Sequence, residues 1–419
     1  MVDVANKGPD PAPASRPARS EVVVAYLMAG VQFVNVLDFM MVNPLGPQFS
    51  ESLGVPTSHL PIIAGSYTAA ASVTGVLGSL YLERFDRRTA LFFSLIGLAV
   101  GTGIGGLATG FTTLILARVV AGLFGGPATS LAVAIVSDAI PPARRGWGIG
   151  VMMGGFSVAS VLGVPAGLYL SHLGGWRIPF FGVALLILAA AFGVVRALPP
   201  LRAHLATVNR GESPVRSLAA LLKKGLVRNS LFLTTMTMVS GFIIIPNFPA
   251  FVQFNLGYPG EQLGLIYLVG GVVSLVTART VGPLVDRFGS TRVAAVGAAL
   301  VISMIALMFV WTSLKVPVLL LSAGFFLAMG TRMVAYNTLT SKVPEPFERA
   351  RFQSIQSAVQ HGASAAAAFL SAQLLAEAPD HRLLHIERVA YVSMVLAFGV
   401  PIVMLALERA ITRRARTAV

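Results

Sequence analysis

The chain has no cysteine and very little charge. None of its 419 residues is Cys, and Asp, Glu, Lys and Arg together make up only 11%. Without thiols there are no disulfides, iron–sulfur clusters, thiolate metal sites or thiol nucleophiles. Soluble domains carry roughly 25% charged residues, so this chain cannot be a soluble globule. Phosphate-binding loops, nucleophile elbows and paired catalytic carboxylates are also missing. No enzymatic activity, ATP hydrolysis or cofactor is expected. Asp380, His381 and His385 have a spacing seen at metal sites, but with no further ligand nearby in sequence no metal centre is expected.

Apolar sequence fills the gap. Hydrophobic residues account for 55% of the chain, and 42 Gly and 25 Pro are interspersed among them. That combination is tolerated in packed membrane helices. Runs long enough to span, about 20 residues each, fall near 22–43, 59–82, 89–109, 112–135, 147–170, 178–198, 229–253, 261–283, 292–312, 317–338, 351–375 and 389–408. The expected fold is an all-α membrane protein of twelve transmembrane helices. The first run is too long for the apolar core of a signal peptide and no small-residue cleavage site follows it, so it reads as a retained helix.

The chain divides as a disordered tail over 1–20, six helices over 21–198, a polar linker over 199–228, six more helices over 229–408 and a basic tail over 409–419. The formal net charge is +14. With both termini inside, Lys and Arg gather in the tails and cytoplasmic loops. The opposite loops hold only Arg177, Lys315, Arg382 and Arg388, and Arg118, Arg279 and Arg332 fall within spans. This is the positive-inside pattern. It accounts for the basic charge through topology and anionic lipid headgroups and argues against nucleic acid as a partner. The expected location is a cell membrane, a bacterial inner membrane, with a monomer as the unit.

The two halves repeat. Leu82-Glu83-Arg84-Phe85-Asp86-Arg87-Arg88 follows the second run, and Val285-Asp286-Arg287-Phe288-Gly289 follows the eighth. Ser137-Asp138-Ala139-Ile140-Pro141 and Ser341-Lys342-Val343-Pro344 repeat at nearly the same offset. Duplicated halves place a site at their interface near the midplane and rock about it.

Asp38 is the one carboxylate buried in a span. An ionisable group there is costly unless paired or facing a polar cavity. Counting 1.5 Å per residue puts Asp38 about 8 Å, and Arg118 about 9 Å, from the outer ends of their runs. At a shared depth a direct or water-mediated pair is possible. A proton-exchange role and a static salt bridge are both open from this geometry. Gln32 and Asn35 precede Asp38 at three-residue steps on one helix face. Asn247, in the Pro246-Asn247-Phe248-Pro249 break, and Gln356, Gln360, His361 and Arg332 are further candidates to line the cavity. His361 is also a candidate proton carrier, and a histidine satisfied by a neighbouring helix is an equal alternative. Arg279 reads as a snorkelling side chain.

Four motifs resemble those of the major facilitator superfamily. Gly282-Pro283-Leu284-Val285-Asp286-Arg287-Phe288-Gly289 closely matches its inner-loop motif. The first-half copy departs from it at Ser79, Glu83 and Asp86 but keeps an acid followed by Arg84, Arg87 and Arg88. Arg118-Val119-Val120-Ala121-Gly122 resembles the motif in which a buried Arg joins proton coupling. Gly163-Val164-Pro165-Ala166-Gly167 resembles the motif of export-type members. Leu37-Asp38-Phe39-Met40-Met41-Val42-Asn43-Pro44-Leu45-Gly46-Pro47 is similar to the first helix of proton-coupled drug exporters. The resemblance implies two pseudo-symmetric six-helix bundles. It implies proton coupling through Asp38 and Arg118, and gating through the inner loops (Glu83, Arg84, Arg87, Arg88, Gly282, Asp286, Arg287, Gly289) and through Gly163, Pro165 and Gly167. The expected function is export of a drug-like, amphipathic or sugar-like small molecule in exchange for protons. A proton-coupled importer of a sugar or other nutrient, or a non-transporting receptor or scaffold, are the alternatives.

Overall fold

Apolar runs of this length have one stable solution in a bilayer: each backbone N–H and C=O is satisfied within its own helix. The computed structural model follows that rule. It describes residues 17–81, 85–201, 214–312, 316–345 and 348–417. Twelve long helices run in sequence: α1 (Arg19–Met41), α2 (Leu60–Tyr81), α3 (Arg87–Gly106), α4 (Phe111–Ala139), α5 (Arg145–Gly174), α6 (Arg177–Ala197), α7 (Gly225–Asn255), α8 (Leu263–Phe288), α9 (Ser290–Ile305, with a π turn to Val310), α10 (Val318–Thr340), α11 (Arg349–Leu374) and α12 (Ile386–Thr417). Large apolar side chains, among them Phe93, Leu185, Phe192, Val395 and Phe398, stand exposed around the bundle. In water such a surface would drive association; in a bilayer it is the solvated face. The protein is a multi-pass membrane protein.

Eleven of the twelve are apolar enough to cross a membrane by composition, among the described residues. The exception is α11. It is 26 residues long but carries Gln353, Gln356, Gln360, His361 and several Ser. It packs against α2 of the other half along one side and α7 along another. Past its first turns, where Arg349, Arg351 and Gln353 are exposed, the exposed sector is that of Ala366, Phe369, Leu370 and Gln373. A helix seated at the seam between halves meets lipid on one side only, so its polar residues need not face hydrocarbon.

Element edges differ from the sequence expectation in physically sensible ways. The first span ends at Met41, short of Pro44, and a short helix Gly46–Leu53 follows with Pro47 in its first turn, where proline is tolerated. Residues 1–16 of the expected tail and 202–213 of the linker lie outside the described residues. The rest of the linker contains a helix, Pro214–Lys223, and α7 begins at Gly225. The basic segment after 408 is no separate tail: α12 runs through it to Thr417, because Arg is a good helix former beyond the hydrocarbon.

Two helices break where proline demands it. In α7 the α-helix ends at Phe242 and resumes only after a turn around Pro246 and Asn247. In α5 a π-helical turn, Ala159–Gly163, precedes Pro165. It relieves the clash and the lost hydrogen bond that proline brings. The α8–α9 connection is a single residue, Gly289, at φ 89°, a conformation open to glycine at no steric cost.

Packing shows how the halves, α1–α6 and α7–α12, meet. One continuous apolar core joins α1–α6 to the part of α7–α12 farthest from the termini, through Val42, Leu45, Phe49 and Leu60 with Ile243, Ile244, Phe248 and Phe251. A second core, with Val227, Leu233, Val285, Tyr336, Leu339, Phe352 and Met404, holds α7–α12 together near the termini. Polar contacts agree. On the face opposite the termini, Gln253 donates to Glu51 (3.1 Å) and the Thr57 N–H donates to Glu377 of a small hairpin (3.1 Å). That hairpin pairs Ala376–Glu377 with Leu383–Leu384. The halves are thus fastened together on the face away from the termini.

Helix-on-helix contact is close at Gly122 of α4. A Cβ there would fall 2.3 Å from the Tyr67 carbonyl oxygen of α2. Gly122→Ala should therefore destabilise the fold by about 1–3 kcal/mol, the usual cost of overpacking. It should lower the melting temperature in detergent. Gly30→Ala of α1, with nothing within 4 Å of the added carbon, should leave it equal or higher. Equal melting of both variants would contradict this packing.

Candidate functional site

Four helices of the first half build the site around α1. Asp38 is 0% and Arg118 1% exposed. They meet in a two-pronged pair: Arg118 Nη1 donates to Asp38 Oδ1 at 3.0 Å and Nη2 to Oδ2 at 3.1 Å. Nη2 also approaches the Asp38 carbonyl at 3.4 Å. The planar guanidinium fork suits a carboxylate in this geometry. From α2, the face of Tyr67 lies 4.6 Å below the Arg118 guanidinium carbon, a cation–π contact that is strongest where water is excluded. From α3, Thr102 Oγ1 lies 2.6 Å from Asp38 Oδ1. Gly101 makes that reach possible, since a Cβ at 101 would lie 2.5 Å from the Ala121 nitrogen of α4.

Next to the pair, Asn35 braces three helices. Its amide donates to the Gly125 carbonyl (3.1 Å) and to Thr129 Oγ1 of α4, and its Oδ1 accepts from the Tyr67 hydroxyl at 3.2 Å. Gln32 is buried one turn away, with Oε1 unpaired among the described residues. Asn35 is therefore spent inside the first half.

The second half carries a different cluster. Tyr336 of α10 is fully buried. Gln356 and Gln360 of α11 donate to its hydroxyl at 2.9 and 3.4 Å. Thr234 of α7 gives its own proton to the Ser230 carbonyl (2.9 Å), so the Tyr336 hydroxyl donates to Thr234 Oγ1 at 2.8 Å. The Oε1 atoms of both glutamines stay available. His361 Nδ1–H donates to the Ser357 carbonyl one turn back (3.0 Å), which leaves Nε2 as the acceptor. Asn247, at the α7 break, donates to Ile243 O (3.0 Å) and to Ser371 of α11 (2.7 Å). Its buried Oδ1 has no partner among the described residues.

Arg332 is 2% exposed and held inside the second half. Nη1 donates to Ser240 Oγ (2.7 Å) and Nη2 reaches the Thr237 carbonyl (3.5 Å) of α7. No carboxylate pairs with it among the described residues. Arg279 is exposed near the end of α8.

The loop charges serve their own halves. Asp86 caps α3, accepting from the N–H groups of Arg88 and Thr89 (2.9 and 3.2 Å). Arg87 pairs with Asp138 at the end of α4 (3.0 Å), and Arg88 donates to the Val195 carbonyl of α6 (2.5 Å). Glu83 and Arg84 lie outside the described residues. Asp286 is exposed, without an ion pair among the described residues, and Arg287 rests over the Phe288 ring at 5.2 Å. Lys224, where the linker meets α7, is held above the usual lysine range, chiefly by its hydrogen bond to Glu348 (2.7 Å). Gly282 faces open space. In α5, a Cβ on Gly163 would lie 2.9 Å from a Leu37 methyl, so this glycine lets α5 close on α1 beside Asp38. Gly167 has slack against Met41, and within the turn before Pro165 the Val161 backbone lies so close to Gly271 of α8, across the halves, that a Cβ on Gly271 would fall 2.8 Å from the Val161 Cα.

Thr102, Tyr67, Tyr336 and Thr234 escaped the sequence reading. Thr102 and Tyr67 had one usable signal: like Asp38 and Arg118, each sits in the half of its helix nearer the face opposite the termini. Tyr336 and Thr234 had none: a threonine hydroxyl in a helix readily satisfies itself on its own backbone, and a tyrosine in an apolar run reads as core.

Comparison with known proteins agrees with this architecture. The sequence profile of the Major Facilitator Superfamily matches residues 28–368. The chain is 27% identical over 283 residues to a chloramphenicol resistance protein of Streptomyces lividans, covering 67% of this chain and 71% of that one. It is 27% identical over 336 residues to the multidrug resistance protein MdtG of Escherichia coli, covering 77% and 79%. Among solved structures, a D-xylose-proton symporter shares the fold at 16% identity, with a TM-score of 0.74 over 92% of this chain and 96% of that one. With a matching profile over most of its length, twelve helices in two bundles and the loop motifs in place, the chain belongs to the major facilitator superfamily of membrane transporters.

Proposed function

We propose that the protein exports a small molecule in exchange for protons, with Asp38 as the proton-carrying group and Arg118 as its partner. The carrying observation is the fully buried two-pronged pair itself. Breaking such a pair by removing one partner typically costs about 3–5 kcal/mol, because the other charge is left buried. A proton arriving at Asp38 removes the need for the pair, so protonation and rearrangement around α1 and α4 become one event. Outward exposure loads the proton and releases the exported molecule; inward exposure returns the proton to the cytoplasm.

The distribution of Lys and Arg supports cytoplasmic termini, and the structure, fastened on the other face, is then closed to the outside. The α5 sequence around Pro165 and the resistance proteins among the relatives favour export over import. On the second half, the α11 sector between its α2-facing and α7-facing sides presents Gln360, His361 and Ser357. These polar neutral groups, with Gln356 and the aromatic residues of α7 and α10, suit an amphipathic molecule. One chain supplies both walls, so the monomer is the working unit.

Two outcomes are expected. Asp38→Asn should abolish efflux of ethidium or chloramphenicol driven by a proton gradient in proteoliposomes, while the protein still elutes as a folded species. Undiminished driven efflux would sink the proposal, and proton-driven uptake of xylose in its place would support the import reading. Asp286→Asn should change the balance of inward- and outward-facing states. The chain has no native cysteine, so spin labels on single introduced cysteines in the two halves can report it. An unchanged distance distribution would count against a gating role for that loop.

A further inference from the structure

Thr102 has two acceptors and one proton. Its Oγ1 lies 2.6 Å from Asp38 Oδ1 and 2.8 Å from the carbonyl of Leu98, one turn back on α3. It is fully buried, as is Asp38, so in this conformation neither group can turn to water, and a proton reaches Asp38 only when the helices open.

We propose that Thr102 is a positioning residue that keeps Asp38 hydrogen-bonded in both protonation states, an inference that rests on the proton-exchange reading above. With Asp38 ionised, the Thr102 hydroxyl donates to Oδ1, which also accepts from Arg118 Nη1, while Oδ2 accepts from Nη2. When a proton from water bonds to Oδ1, the new carboxyl O–H donates to Thr102 Oγ1. The threonine proton swings to the Leu98 carbonyl. This first step needs only the hydroxyl proton to turn, ahead of the helix rearrangement; one O–H bond forms on Asp38, and neither Asp38 nor Thr102 is left with an idle donor. Such idle groups are costly in a dry site.

Arg118 has a matching reserve. When the carboxylate is neutral it keeps the Asp38 carbonyl at 3.4 Å and the face of Tyr67 at 4.6 Å. Arg118 from α4 and Tyr67 from α2 are the ionisable groups facing Asp38. The buried faces of α5 and α6 bring no ionisable side chain to it. The hydroxyl of α3 is therefore the neutral group able both to give and to take a hydrogen bond at Oδ1.

Infrared titration of the full chain in lipid nanodiscs tests this. The protonated-carboxyl band that vanishes in Asp38→Asn reports Asp38 directly, without a transported substrate. Thr102→Val keeps the shape and removes the hydroxyl. A carboxylate that loses a donor is easier to protonate, so the pH at which the band is half developed should rise by about one unit, a tenfold change in proton affinity. Thr102→Ser should restore the wild-type profile. If the valine variant does not fold, Thr102→Ala is read the same way. A band in the hydroxyl-free variant that superimposes on wild type overturns the role of Thr102 while leaving Asp38 titratable. A wild-type protein with no titrating Asp38 band overturns the proton-exchange reading, and this inference with it.

Discussion

A charge cannot be left alone in hydrocarbon, and much of the first half is arranged around that constraint. Asp38 and Arg118 sit on different helices and cancel one another only if α1 and α4 hold a fixed depth and rotation. Gly101 brings α3 close enough to α4 for Thr102 to reach the carboxylate, and Gly163 brings α5 onto α1 beside it. Small residues here serve the polar site as much as the packing. In a membrane, where apolar burial does not separate helix from lipid, close contact and internal hydrogen bonds do the joining.

The second half solves a related problem without an acid. Tyr336 gathers Gln356, Gln360 and Thr234 around one hydroxyl, so the polar residues of α11 are oriented without net charge. Arg332 is held through its Nη1 and Nη2 groups by a hydroxyl and a helix carbonyl oxygen. The halves repeat in sequence and fold, yet ion chemistry is concentrated in the first and neutral polar groups in the second. In the proposed exchange this separates a wall that responds to protons from a wall that contacts the exported molecule.

The contacts between halves follow the same logic of breakable and unbreakable joints. Away from the termini, one apolar core crosses the seam, pinned by Glu51 with Gln253 and by Glu377 with the Thr57 N–H. Nearer the termini, the second core belongs to α7–α12 alone. The broken α7 and the π turn of α5 lie in helices at this seam, where the i to i−4 ladder is already interrupted and a bend costs least.

Twelve helices, their order, the two halves and a membrane setting were legible in the residues, because the span length and the ban on unpaired backbone groups leave few alternatives. Asp38 and Arg118 could be placed at one depth by counting 1.5 Å steps, since rise along a helix is a local property. Rotation about the helix axis and the partner it faces are not local. Only the tertiary structure decided that Asn35 turns into its own bundle, that Arg332 is held by α7 without an acid among the described residues, and that α11, the most polar of the spans, fits at the seam. The same holds for Thr102. In sequence it is one hydroxyl among glycines; packing sets it between a carboxylate and a carbonyl, and that position is fixed by the approach of α3 to α1 and α4 rather than by any pattern along the chain.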